Sequence, residues 1–253
     1  MNRLLCFVGW AFTLGFLGTL GGQEKKPEPP QVLVANPLGI IPGQTTKVLL
    51  RGLKLDEAKE VRLNGKTDGV KFLSAAKSAP PNQQEAKRAG DTQVEVEFTL
   101  PTDVSPGEAA LVVVTPAGET KAYSLLIGSK IPWVAEKEGN DGFRQAQMVE
   151  VPQTIEGIIH GGQNVDVFAV TAAADGRLVA EVIAAERGSS LDGVLSVFDE
   201  RGTLITQNDD EGNSRDPRVR WSVKTGTKYF VVLQDANDLG GPAHPYRLTI
   251  RAD

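Results

Sequence analysis

Cysteine is nearly missing from this chain of 253 residues: one occurs, Cys6, inside the first apolar stretch. A disulfide framework is therefore excluded, and stability has to come from packed cores or a bound ion. Histidine is almost as scarce, with His160 and His244 alone. A zinc site wants three or four ligands at defined spacings, and neither an HExxH-like pair nor a CxxC occurs. A Gly-x-Ser-x-Gly elbow, a phosphate loop and a dinucleotide fingerprint are also absent. Gly188-Ser189-Ser190 could be joined on paper to a histidine and an aspartate. Serine and aspartate populate turns too often for that to carry weight. Carboxylates are abundant, but nothing ties a pair of them to a sugar-binding cleft. These gaps argue that the protein is not an enzyme.

Aromatic residues are only 6% of the chain and form no row suited to stacking on a polymer. Basic runs with interleaved aromatics are missing, and the net charge is −5. A nucleic-acid partner is accordingly not expected. Helical periodicity is absent over any useful length, whereas Gly (27) and Pro (15) are plentiful. That combination suits short strands joined by tight turns, so the fold class expected is all-β.

Met1-Asn2-Arg3, the uncharged apolar run from Leu4 to Leu20 and the pair Gly21-Gly22 have the order of a secretory signal peptide, residues 1–22. The alternative is an uncleaved anchor, because the run approaches the ~18–20 residues that span a bilayer. Cys6 opens the run instead of closing it, which is too early for a lipoprotein attachment site. Residues 23–30 are charged and Pro-rich, a flexible spacer. The compartment expected is secreted, periplasmic or cell-envelope, with no membrane span after cleavage.

Residues 31–128 form the first domain. Val94, Val96 and Phe98 alternate with Gln93, Glu95 and Glu97, and Val61 and Leu63 alternate with Glu60, Arg62 and Asn64. This period of two puts one face of a strand on a core. Pro42-Gly43, Asn64-Gly65, Pro106-Gly107 and Pro116-Ala117-Gly118 punctuate the strands. The polar stretch from Ser74 to Gly90 reads as a long surface loop. Asn36-Pro37-Leu38-Gly39, Pro42-Gly43-Gln44-Thr45-Thr46 and Val48 through Leu55 resemble the opening of an IPT/TIG immunoglobulin-like domain, and Pro106–Gly118 resembles its closing hairpin.

Residues 129–135 make a linker that carries Trp133, a residue placed to pack between the domains. The second domain, 136–253, has strand candidates at Val165–Thr171, Arg177–Ala184, Gly193–Phe198, Val219–Val223, Lys228–Leu233 and Tyr246–Arg251. Trp221, Tyr229, Phe168, Phe198 and Phe230 fall in these strands and are expected in the core.

Glu136-x-Glu138-x-Asn140-Asp141 is the densest chemistry in the sequence. Four oxygen-bearing side chains this close repel one another on one surface and cannot all be buried unpaired. From the residues alone the segment is either a solvated acidic stretch or a cation cage. Ca²⁺, which takes six to eight oxygens in flexible geometry, would resolve the repulsion. Alternate spacing would set Glu136, Glu138 and Asn140 on one side of an extended segment. The other acidic groups read as turn caps: Asn208-Asp209-Asp210-Glu211 with Asp216, then Asp192, Asp199, and Asp235 with Asn237 and Asp238.

The second domain resembles the bacterial pre-peptidase C-terminal domain, a jelly-roll-like β-sandwich related to collagenase collagen-binding domains. The matching residues are Asn140-Asp141, Asp166-Val167-Phe168, Gly188 through Asp192, Val197-Phe198-Asp199, Asn208-Asp209-Asp210, Asp216, Tyr229 and Tyr246-Arg247-Leu248. That resemblance implies a calcium site at Glu136, Glu138, Asn140, Asp141 and Asp166. The relatives carry a further Asp where this chain has Gln163, which leaves one carboxylate fewer. The reading that follows is two β-sandwich domains, immunoglobulin-like then jelly-roll-like, in an exported non-catalytic binding or structural module. Its partner would be a protein or an extracellular polymer. The alternative is an accessory or chaperone-like partner of a secreted hydrolase or peptidase, acting in trans.

Overall fold

The computed structural model describes residues 28–81 and 84–253. The signal-like segment with Cys6 and spacer residues 23–27 lie outside the described residues. The first half contributes β1 (Gln31–Asn36), β2 (Gly39–Ile40), β3 (Thr45–Leu53), β4 (Glu60–Leu63), β5 (Val70–Lys77), β6 (Thr92–Thr99), β7 (Gly107–Thr115), β8 (Gly118–Glu119) and β9 (Tyr123–Ile127). They form two sheets, β1-β3-β6-β5 and β2-β9-β7-β4, with β8 paired to β7. Alternation does what period two requires. Val94, Val96 and Phe98 are fully buried against Val61, Leu111, Val113 and Leu125 of the facing sheet.

The second half supplies β10 (Trp133–Ala135), β11 (Gln147–Met148), β12 (Gln153–Ile158), β13 (Val165–Thr171), β14 (Gly176–Ile183), β15 (Gly193–Asp199), β16 (Leu204–Asn208), β17 (Arg218–Val223), β18 (Lys228–Asp235) and β19 (Pro245–Ala252). Its sheets run β10-β12-β19-β14-β17 and β11-β13-β18-β15-β16. Ile155, Phe168, Leu195, Val231, Trp221, Leu248 and Ile250 meet between them. Two pairs are parallel, β10 with β12 and β11 with β13; the others in these two sheets are antiparallel. The architecture is all-β, as the composition required, with one four-residue helix, α1 (Ala86–Ala89), among the described residues.

One expectation is corrected here. Among the described residues of the stretch from Ser74 to Gly90, Ser74–Lys77 belong to β5 and Ala86–Ala89 to α1, so only part of it is a surface loop. β5 extends to Lys77 as an edge strand, with a bulge between Phe72 and Ser74, and an edge strand needs little apolar content. Beyond it, Arg51 is fully buried and donates to the carbonyls of Ala89 (3.0 Å), Gly90 (2.6 Å), Ser78 (3.2 Å) and Ala79 (3.3 Å).

The two sandwiches touch along a built seam. Val34, Leu38, Ala89 and Leu126 pack on Ala243 and Ile183. Tyr123 donates its hydroxyl to Arg187 O (2.8 Å), and Arg187 pairs with Glu108 (2.7 Å). Arg247, paired with Glu156 in the strand register, donates Nη1–H to Gly128 O (3.2 Å). The carboxyl of Glu156 is nevertheless pushed up to about 7, because burial outweighs the Arg247 charge.

Candidate metal centre

β10 ends at Ala135, but its parallel ladder with β12 continues one step further, Glu136 N–H donating to Glu156 O (2.8 Å). Gly139, at φ +88°, then turns the chain. The turn carries Asn140 to β13, where its carbonyl accepts Val167 N–H (3.0 Å). The expected alternation is therefore broken: Glu138 stays exposed while Asn140 is 1% exposed. Glu136, Glu138 and Asn140 do not line one side of an extended segment.

Asp166 has the parity of Phe168 and Val170, the core-facing residues of β13, and is 0% exposed. Its Oδ2 accepts Tyr246 Oη–H at 2.6 Å, and its Oδ1 has no hydrogen-bond partner among the described residues. Burial above all, with the nearby charges of Glu136 and Asp141, pushes its carboxyl up to about 8. Glu136 is raised as well, chiefly by burial. One of its oxygens accepts Ile158 N–H (3.1 Å), and the other is buried without a partner. Both side-chain polar atoms of Asn140 are likewise unpartnered. Three buried oxygens, on Glu136, Asn140 and Asp166, thus lack donors in a region rich in negative charge. They are hard donors of the kind Ca²⁺ takes, so these residues fit such an ion. Asp141 is exposed and accepts from Asn164 Nδ2 (2.9 Å). Gln163 stands exposed at φ +63°.

The tight grouping is not the predicted one. Among the described residues, Glu136, Glu138 and His160 bring carboxylate oxygens and a ring nitrogen within 4.8 Å of one another. Glu138 is in direct contact with His160 Nδ1. Asp141 and Asp166 lie outside that triad. Sequence reasoning missed His160, which is far from 136–138 along the chain. The link is the parallel register: Ala135 opposes Glu156, so both strands run out at the same end, and Glu138 and His160 leave them together. The loop is held there by Asn164, whose Oδ1 accepts His160 N–H (2.8 Å).

Asp199 and Asp235 are bonded within their own turns, and Asp216 caps a turn elsewhere in the chain. Asp216 accepts the N–H groups of Ala184, Ala185 and Glu186 (2.7–3.1 Å). Asp235 accepts those of Asp192, Asn237 and Leu239, and Asp199 those of Arg201 and Thr203. Ser189 and Ser190 donate to the carbonyls of Ala243 and Arg88. His244 is fully buried, and neither ring nitrogen has a partner among the described residues.

The aromatic expectation needs a second correction. Phe168, Trp221 and Tyr229 are in the central core, but Phe198 and Phe230 are on the outer face of the β11-β13-β18-β15-β16 sheet. Phe143 stacks on Phe230 there (4.5 Å between centroids) and is 39% exposed. Cross-strand partners share a face, so Met148 opposite Ala169 and Leu204 opposite Phe198 extend that surface. Trp133 is half-buried and lines a cleft with Ile41, Pro42 and Pro106 of the first sandwich.

No family model matches the chain, and no curated protein does. Among solved structures, the pre-peptidase C-terminal domain of collagenase from Bacillus anthracis is similar at 18% identity and TM-score 0.35, over 42% of this chain and 94% of that one. PliG, a periplasmic inhibitor of g-type lysozyme from Aeromonas hydrophila, is similar at 15% identity and TM-score 0.31, over 43% and 99%. The SGBP-B protein of the Bacteroides ovatus mixed-linkage glucan utilization locus covers more of this chain, 89% against 76% of its own, at 11% identity and TM-score 0.27. Likenesses this distant carry no functional argument.

Proposed function

We propose that this is an exported, non-catalytic binding or structural module whose second sandwich is stiffened by Ca²⁺ at Glu136, Glu138, Asn140, Asp141 and Asp166. The observation that carries the reading is the fully buried Asp166 carboxylate, with one oxygen unpartnered beside the unpartnered oxygens of Asn140 and Glu136. A carboxylate in that position is either protonated or bound to a cation. Bound Ca²⁺ would supply the positive charge that the surrounding side chains lack. The protein's own groups do the rest: Tyr246 orients Asp166, Ile158 N–H orients Glu136, and the Asn140 backbone ties the segment to β13. The ion would thereby fasten the junction between the sandwiches. The exposed face around Phe143, Phe198 and Leu204 supports contact with a protein or polymer partner. Export rests on the signal-like order of residues 1–22.

Calorimetric melts in Ca²⁺ and in chelator test the ion. The expected result is a higher melting temperature in Ca²⁺ for the native sequence and no such rise for Asp166→Asn. Identical curves for the native sequence remove the calcium claim.

A further inference from the structure

We propose that His160 is itself a ligand of the ion held at Glu136 and Glu138, and that its nitrogen gives the site a preference for a first-row transition ion such as Zn²⁺ over Ca²⁺. The inference rests on the reading that this segment holds a cation at all. Three ligand atoms within 4.8 Å of one another are within reach of one ion, since two ligand bonds of about 2.0–2.6 Å end to end span about 4–5 Å. An acidic cluster alone would not establish a site. Here Asn140, in the same stretch, and Asp166, on β13 and near enough for the charge of Glu136 to act on it, are buried to 1% and 0% exposure, each with unpartnered polar atoms.

The nitrogen of His160 that meets the carboxylates is Nδ1, in direct contact with Glu138. The Ile158 carbonyl stands 3.0 Å from the same atom. An ion shared with Glu138 would take Nδ1 and leave the proton on Nε2. Imidazole with two carboxylates matches the donor sets of Zn²⁺, whereas Ca²⁺ prefers oxygen throughout. The loss of a carboxylate at Gln163 moves the balance the same way, by removing charge a Ca²⁺ site would use. His160 also lines a cleft of about 510 Å³ shared with Ala79, Pro81 and Gln84 of the first sandwich.

The experiment compares the full chain with His160→Gln, titrating each with Zn²⁺, Co²⁺ and Ca²⁺ by calorimetry and recording the visible spectrum of bound Co²⁺. His160 is exposed and its backbone bonds survive the change, so the variant should fold as the parent does. Zn²⁺ and Co²⁺ are expected to bind the parent more tightly than Ca²⁺. The variant should lose on the order of tenfold or more in affinity for the first two, with an altered Co²⁺ spectrum and an unchanged response to Ca²⁺. If Ca²⁺ binds while Zn²⁺ affinity and the Co²⁺ spectrum are the same in both proteins, His160 is no ligand and only this inference falls. If no ion binds the parent, the cation site itself is wrong and takes the inference with it.

Discussion

At Asp166 a carboxylate occupies a position whose parity on β13 belongs to the core, one step before Phe168 and Val170. Its folded-state carboxyl, pushed up to about 8, lies far above the 3.8 of an unperturbed Asp. Without an ion the native state therefore holds a proton that the unfolded chain has released over that interval. Stability is fully present below pH 3.8 and is lost as pH rises toward about 8. Each such group contributes a slope of at most about 1.4 kcal/mol per pH unit. In chelator, the melting temperature should fall as pH rises from about 6 to about 8, and Asp166→Asn should flatten that fall. A native protein whose melting temperature in chelator stays level over that range would show that Asp166 ionises freely. Glu156, raised to about 7, adds to the lower part of the same slope.

Among the elements, the segment after β5 shows how one residue can hold a stretch with little core of its own. Arg51 comes from near the end of β3, and its guanidinium meets carbonyls of Ser78, Ala79, Ala89 and Gly90. Burial lowers its pKa, which is the cost of keeping a cation at 0% exposure. Arg51→Leu keeps the apolar bulk and strands those carbonyls. The expected loss is about 3 kcal/mol in denaturant unfolding, with faster protease nicking between residues 79 and 90. Unchanged stability and protease resistance would assign the anchoring to α1 instead. β18 teaches a different lesson about strands. From Tyr229 to Leu233 β18 is apolar at every position, so its sequence does not say which face is inward. The sandwich puts Tyr229, Val231 and Leu233 inside, and Phe230 outside beneath Phe143.

For the whole molecule, the seam between the sandwiches is what makes them one unit. Gly39 sits against Arg247, and a Cβ there would collide with the guanidinium. That group pairs with the buried Glu156 and holds Gly128 O. Gly39→Ala should therefore displace Arg247 and leave Glu156 as an unpaired buried carboxylate. Scanning calorimetry is expected to give one transition for the native protein and two separated transitions for the variant. Two transitions already present in the native protein would show the seam to be energetically weak.

The local rules were legible in the sequence. Alternation placed Val94, Val96 and Phe98 on a core, and Asp199 was marked as a turn cap, because both depend on neighbours a few residues apart. The oxygen-rich run at Glu136–Asp141 was visible for the same reason, but not its geometry, since Gly139 bends the chain out of the extended form. Asp216 caps residues 184–186 and Asp235 holds Asp192 as well as its own turn, partners that only the fold brings together. Only the tertiary structure could bring His160 to Glu138, because a parallel pairing between β10 and β12 aligns strand ends that the sequence keeps apart. It also settled the outward turn of Phe198 and Phe230 and the burial of Arg247 at the seam. In each case the deciding partner lies on another strand, and pairing register is set by the packing of the whole sandwich.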